Sequence, residues 1–358
     1  MWPYWLLFLI PAMVAVLKPW RRASPMPTRL LDWGVEWVAV MLVLALMIGW
    51  RHEVGGDWFN YFNMLELVRG ASLEEVLESP DPGYELLNWI SLELGWGVYG
   101  VNIFCGLVLA LGLVHFCRAM PRPWLALAVA VPYLVIVVGM GYSRQGVALG
   151  CAMMGMVALM RRKTWPFVLW VLLGVTFHKT AVILLPIAAL ANTRNRWWTA
   201  LWVGVVTVGA YQLFLQDSVD NLVSGYIEAQ YQSQGALVRL LMNALPAALL
   251  LLLRKRFQFT AIEAPLWRWL ALISLGLLVV LFVSPSSTAV DRIALYMLPL
   301  QLVVFAHLPD VLGSRHRSNQ QWVTLVVLYY ALVNFVWLNF AGHSEYWLPY
   351  RFYPLETL

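Results

Sequence analysis

Apolar runs dominate this sequence, near residues 4–17, 33–50, 98–116, 123–140, 145–160, 197–215, 237–253, 266–283, 293–308 and 321–340. Most have the ~17–25 residues a helix needs to cross a bilayer. In hydrocarbon every backbone polar group must be satisfied within the protein, which such runs achieve as packed helices. Only 12% of the residues are charged and 61% are hydrophobic, against about 25% charged in a soluble domain. These values exclude a soluble enzyme, a disordered chain and a disulfide-stapled secreted domain. Cys105, Cys117 and Cys151 all lie in apolar runs and fit core packing rather than metal binding or disulfides. The expected fold is an all-α polytopic membrane protein, with residues 1–358 forming one integral membrane domain. The first run lacks a charged start and a small-residue cleavage site, so it reads as a retained span rather than a signal peptide.

The segment 165–191 is flanked by Arg161-Arg162-Lys163 and by Arg194 and Arg196, and is interrupted at Phe177-His178-Lys179-Thr180. As a single span it would put the two basic flanks on opposite sides and send Arg254-Lys255-Arg256 outside. As two half-length helices with His178-Lys179 at the tip, both flanks stay in the cytoplasm, as positive-inside bias prefers. A broken helix at membrane depth is tolerated only where it lines a protein or water cavity. With this re-entrant pair the chain has about twelve membrane segments and both termini outside. Cytoplasmic segments then hold 17 of the 24 Lys and Arg but only 4 of the 19 acids. One loop is long, residues 51–97 on the outer side. It carries Gly55-Gly56-Asp57, an amphipathic stretch Trp58–Val68, the acids Glu74, Glu75 and Glu78, the turn Ser79-Pro80-Asp81-Pro82-Gly83 and a second stretch Tyr84–Leu94. One or two helices at the outer interface are expected there. A smaller outer loop spans 216–236.

Ionisable residues at membrane depth are expensive and mark functional sites by default. Seven basic residues fall outside the cytoplasm: Arg51, Arg69, Arg144, Lys179, Arg239, Arg292 and Arg351. Three share one expected geometry. Arg144 opens the helix 145–160, Arg292 opens the helix 293–308, and Lys179 starts the second half-helix. Free N–H groups and the helix dipole favour anions at such ends, and an arginine fork fits phosphate. Together they suggest a phosphate or pyrophosphate site at the outer face. The other reading is that these cations anchor to headgroups or form structural pairs, such as Asp291 with Arg292 and Glu53 with Arg51. His178, at the break and beside Lys179, suits proton abstraction from a hydroxyl, because a neighbouring cation keeps an imidazole neutral. Asp57 competes for that role. It follows two glycines, with Asn60 and Tyr61 one turn on, and it also suits the N-cap of the next helix. Outer aromatics, Tyr61 and Tyr350 among them, suit an interfacial belt or sugar stacking. The acids are scattered without a metal-ligand pattern, so no metal and no cofactor are expected.

At these residues the sequence resembles the EpsG-type branch of the Wzy-like bacterial polysaccharide polymerases. The matching pieces are Val54-Gly55-Gly56-Asp57-Trp58-Phe59-Asn60-Tyr61, Ser143-Arg144-Gln145-Gly146-Val147-Ala148, Phe177-His178-Lys179-Thr180-Ala181 with Pro186, Asp291-Arg292-Ile293-Ala294-Leu295-Tyr296, and Trp347-Leu348-Pro349-Tyr350. The sequence departs from the more familiar form at Trp58, where Tyr is usual, and at Lys179, where a small polar residue is commoner. The resemblance implies a GT-C-like enzyme of the bacterial inner membrane, multi-pass, with its site facing the periplasm. It would join oligosaccharide repeat units carried on undecaprenyl pyrophosphate, as in O-antigen or exopolysaccharide synthesis. Donor and acceptor would both be lipid-linked, and lipid pyrophosphate would leave. Partners would be these substrates, membrane lipids, and a chain-length regulator and flippase; nucleic acid has no place. The expected site comprises His178, Asp57, Arg144 and Arg292 in catalysis, with Lys179, Arg51, Tyr61, Gln145, Asp291, Tyr296, Tyr350 and Arg351 against substrate. A lipid-linked-glycan flippase would share the outer cations but calls for midplane cations and inverted repeats, which the sequence lacks. An O-antigen ligase would share the donor and differ in its acceptor.

Overall fold

The computed structural model describes residues 1–18, 33–190, 196–214, 233, 235–314 and 318–356. The chain is 80% helical. Among the described residues no strand forms; the nearest approach to one is an isolated antiparallel bridge between Arg51 and Phe352. Most of the expected 216–236 loop, with Tyr226 and Tyr231, lies outside the described residues, as do Arg194, Arg315 and Arg317.

Helix α1 is Trp2–Leu17 and α2 is Val35–Gly49. The long loop forms three short helices, α3 (Trp58–Leu67), α4 (Leu73–Leu77) and α5 (Pro82–Glu93). Helix α6 is Gly97–Arg118, and α7 (Pro123–Ala130) continues as a wide π-turn segment over Val131–Gly139. Next come α8 (Ser143–Met160) and α9 (Thr164–Phe177), then a 3₁₀ stretch Lys179–Leu184 and α10 (Leu185–Leu190). Then follow α11 (Arg196–Phe214), α12 (Ala236–Leu252) and α13 (Glu263–Val283). Helix α14 (Ser287–Ala294) runs through a 3₁₀ turn, Leu295–Met297, into α15 (Leu298–Leu312). Helix α16 is Gln320–Phe340, and the short α17 is Tyr353–Glu356.

Among the described residues, four helices are long and apolar enough to cross a membrane: Gly97–Arg118, Glu263–Val283, Ser287–Leu312 and Gln320–Phe340. Other apolar helices, including Trp2–Leu17, Val35–Gly49 and Pro123–Gly139, are shorter. Lipid gives no hydrophobic reason for two apolar helices to associate, so close backbone approach must supply the attraction. Glycines permit it at each seam of the layer α2–α6–α8–α9. A Cβ on Gly49 would lie 2.5 Å from Ile103, one on Gly112 would lie 2.2 Å from the Gly150 carbonyl, and one on Gly174 would meet Ala148 at 3.2 Å. The π segment is the inner post of the bundle, and every residue from Leu125 to Met140 is buried. Pro132 lacks the N–H that a regular α-turn would use, and the indole N–H of Trp347 donates to the Ile136 carbonyl there at 2.8 Å.

The 165–191 segment breaks where the sequence placed the break. His178 is extended, with φ −155° and ψ 105°, between α9 and the 3₁₀ stretch. Helix α10 packs against α9, so the chain folds back rather than running on. In the membrane this reversal predicts that a reporter fused after Arg196 is cytoplasmic. A periplasmic reporter would make 165–191 a single crossing and invert every later segment.

Candidate functional site

Several of the expected site residues lie near one end of the bundle in three contact groups: Asp57 with Arg292 and Gln145, Arg144 with Asp81, and His178 with Thr180 and Tyr296. Helix α8 starts there with Ser143, Arg144 and Gln145 on successive positions. Ser143 faces Arg51, Arg144 faces the long loop, and Gln145 faces α14.

Arg292 lies on the face of α14 beside Gln145. The Gln145 amide donates to the Arg292 carbonyl at 2.6 Å, and Arg292 Nη1 donates back to Gln145 Oε1 at 3.4 Å. The Arg292 guanidinium sits 4.2 Å from the centre of the Tyr142 ring, a cation–π distance. Its Nη2 is 3.8 Å from Asp57 Oδ2. Asp57 occupies the N-cap position of α3 but makes no cap hydrogen bond. Its carboxylate turns instead to Arg292 and, at 3.5 Å, to Asn60. The loop that presents Asp57 is fixed from behind. Gly55 N–H donates to the Tyr346 carbonyl at 2.8 Å, and Gly56 packs on the Trp347 ring.

Gly55 has φ +106°, and a Cβ there would lie 2.2 Å from the Met140 carbonyl oxygen. Gly55→Ala is therefore expected to cost about 1–3 kcal/mol and to shift Asp57. Gly56→Ala, where a Cβ would first meet Trp347 at 3.8 Å, is expected to melt near the wild type. Thermal unfolding of both variants in detergent checks this; a Gly55→Ala protein as stable as wild type would contradict it.

Arg144 donates through Nη1 to Asp81 Oδ2 at 2.6 Å and lies 5.8 Å from the Tyr84 ring centre. His178 sits across from it, half-buried, with Nδ1 2.6 Å from Thr180 Oγ1. Thr180 Oγ1 is in turn 3.3 Å from the Tyr296 hydroxyl. His178 is the extended residue between helices, outside the spanning segments. Burial pushes its pKa down to about 3, and the charges of Arg144, Arg292 and Lys179 push the same way. Burial and these cations therefore both favour the neutral imidazole.

Several sequence expectations need correction. Arg292 does not open a helix; α14 starts at Ser287 under a Ser286 cap, so Arg292 sits in its last turn. The first turns of that helix, Ser287 to Arg292, are largely polar, so the apolar run that marked the expected helix began only at 293. Arg144 and Lys179 do begin their helices. Arg51, expected against substrate, is wholly buried. It donates to the Val54 and Ile48 carbonyls, Asn102 and Ser143, pinning α2 to α6 and α8. Asp291 pairs with Arg239 at 2.7 Å rather than with Arg292, and Glu53 pairs with Arg351 at 2.6 Å rather than with Arg51. Tyr350 donates to the Met47 carbonyl, and Tyr61 is buried against Tyr84. Tyr296 is buried and reaches the cluster through Thr180.

The sequence reading missed Asp81, Tyr142 as the Arg292 platform, and Thr180 as the His178 partner. The local signal at Asp81 pointed elsewhere: an Asp directly before a Pro that starts an apolar-faced stretch reads as a helix N-cap, a role its side chain does not fill. Among the described residues no group of three His, Cys, Asp or Glu side chains could hold a metal ion.

Apolar helices of spanning length, with a charged and aromatic cluster at one end, define an integral membrane protein. The chain belongs to the EpsG family, whose model matches residues 35–352. Every motif that carried the resemblance lies inside that range. Membership points to a membrane protein of the polysaccharide-polymerase, glycosyltransferase-like type. No curated protein and no solved structure matches the chain.

Proposed function

We propose that the protein is a metal-independent, GT-C-like polymerase of the inner membrane that joins undecaprenyl-pyrophosphate-linked repeat units at the periplasmic face. The observation that carries this reading is the convergence of Arg144, Arg292, His178 and Asp57 at one end of an EpsG-family helix bundle. Glycosyl transfer from a lipid pyrophosphate needs a cationic place for the leaving group and an acceptor of the hydroxyl proton. Arginines anchored at Tyr142, Gln145 and Asp81 supply preorganised positive charge, which needs no reorganisation as the leaving group gains charge. The neutral His178 imidazole and the Asp57 carboxylate are the proton acceptors within the cluster. A nucleophilic sugar hydroxyl loses its proton to one of them as it attacks the anomeric carbon and the pyrophosphate departs. The lipid tails lie alongside the exposed apolar helix faces. The chain-length regulator and flippase of such a system are proposed partners.

The test is reconstitution of the purified full chain with a lipid-linked oligosaccharide repeat. Chain extension with release of polyprenyl pyrophosphate is the expected result. Movement of intact substrate across the vesicle without extension would make the protein a flippase, and transfer only to a lipid A-core acceptor would make it a ligase.

A further inference from the structure

Asp81 is placed where a helix cap belongs, yet it does not cap. It precedes Pro82 at the start of α5, and its side chain makes no hydrogen bond to its own helix. It has left that role to reach Arg144 at 2.6 Å, and Lys179, through its backbone N–H and its ammonium, favours the ionised form. Asp81 thus sits where α5, α8 and the 3₁₀ stretch after His178 begin.

The pair is an inefficient way to stabilise a fold. The Asp81 side chain is 8% exposed and its Oδ1 has no hydrogen-bond partner among the described residues; nor has the buried Arg144 Nε. A buried pair repays its desolvation only when the remaining lone pairs and protons are also satisfied. Burial raises the Asp81 pKa, and only Arg144 and Lys179 hold it down, so the carboxylate depends on those cations. Arg144 in turn is held through one nitrogen: Nη1 goes to Asp81, while Nη2 makes no hydrogen bond among the described residues. One N–H group is thus fixed from inside and the rest of the fork points elsewhere, on a side chain 31% exposed.

We infer that Asp81 is a positioning residue, which aims Arg144 and the His178-Lys179 break at the departing pyrophosphate without touching substrate itself. This rests on the reading of Arg144 as a leaving-group contact. A carboxylate that cannot move within a buried seam fixes one edge of the guanidinium. The other terminal nitrogen, Nη2, is then held in one place for a charge-assisted hydrogen bond to the departing anion.

The experiment is a double-mutant cycle on the reconstituted full chain, using Asp81→Asn, Arg144→Ala and the double variant, read by chain-extension rate and by the KM for the lipid-linked donor. Asp81→Asn is expected to lower turnover about 10²-fold, the order that a small misplacement of a reacting group costs, with a smaller change in KM. The double variant should be no slower than Arg144→Ala alone, because Asp81 acts through Arg144. Additive losses, or wild-type turnover in Asp81→Asn, would overturn the inference. Should Asp81→Asn fail to reach the membrane, Asp81→Glu, which pushes the same carboxylate out by one methylene, enters the same cycle with the same expectations. Full activity in Arg144→Ala would instead remove the leaving-group reading beneath it, an outcome distinct from additivity.

Discussion

Replacing Arg144 or Arg292 with Ala should nearly abolish chain extension, by about 10²–10³-fold in turnover, while the protein still reaches the membrane. That is the order seen when one preorganised donor to a developing oxyanion is lost. The two should differ in what else they disturb. Arg144 is a half-exposed side chain tied to Asp81, so its removal leaves a buried carboxylate without its cation and should also lower the melting temperature. Arg292 stands over Tyr142 and beside Gln145, with its backbone carbonyl held independently of its side chain, so Arg292→Ala should remain closer to wild-type stability. Arg→Lys should rescue either position poorly, because a point ammonium cannot offer two parallel N–H bonds. Polymer ladders of wild-type length from both Ala variants would refute the leaving-group assignment.

What the sequence disclosed about this site, and what it hid, follows from the reach of each signal. Helix positions were legible because lipid demands long apolar runs. The break at His178 was legible because the polar tripeptide His178-Lys179-Thr180 interrupts one of those runs. The helix start at Arg144 was legible from the same pattern. Long-range pairing was not. Neighbouring charges in the chain, Asp291-Arg292 and Arg51 with Glu53, suggested partners, but on α14 neighbours one apart point in different directions, and Arg51, outside any helix, is turned wholly inward away from Glu53. Asp291 therefore finds Arg239 and Glu53 finds Arg351. Arg51 looked like a surface cation because it ends an apolar run; only the packed structure shows carbonyls and Asn102 closing around it. Asp81 was hidden by the opposite effect. Its local surroundings already explained it as a turn residue, and nothing local announces that its carboxylate has left its own helix for another.

The choice between His178 and Asp57 as proton acceptor is sharpened by the fold. An imidazole accepts a proton at Nε2 only in the tautomer that carries its hydrogen on Nδ1, and a hydrogen-bond acceptor opposite Nδ1 selects that tautomer. Thr180 Oγ1, 2.6 Å from Nδ1 and 3.3 Å from the Tyr296 hydroxyl, can fill that place when its own hydrogen points to Tyr296 and its lone pair to Nδ1. His178→Gln is accordingly expected to bind the lipid-linked donor and lose about 10²–10⁴-fold in turnover, the usual contribution of a general base. Thr180→Val should show a smaller loss of the same kind. The pH profile follows from the lowered pKa. A group depressed to about 3 takes up its proton only as pH falls through that value, so no acidic limb from His178 should appear between pH 8 and 5. That replaces the limb near 6.5 which an ordinary histidine predicts. Because arginines meet the leaving group, EDTA should leave the rate unchanged. If Asp57→Asn is inactive while His178→Gln retains turnover, the base is Asp57. If EDTA inhibits and Mg²⁺ or Mn²⁺ restores activity, Asp57 becomes a metal ligand and the arginines lose their place as the main electrophile.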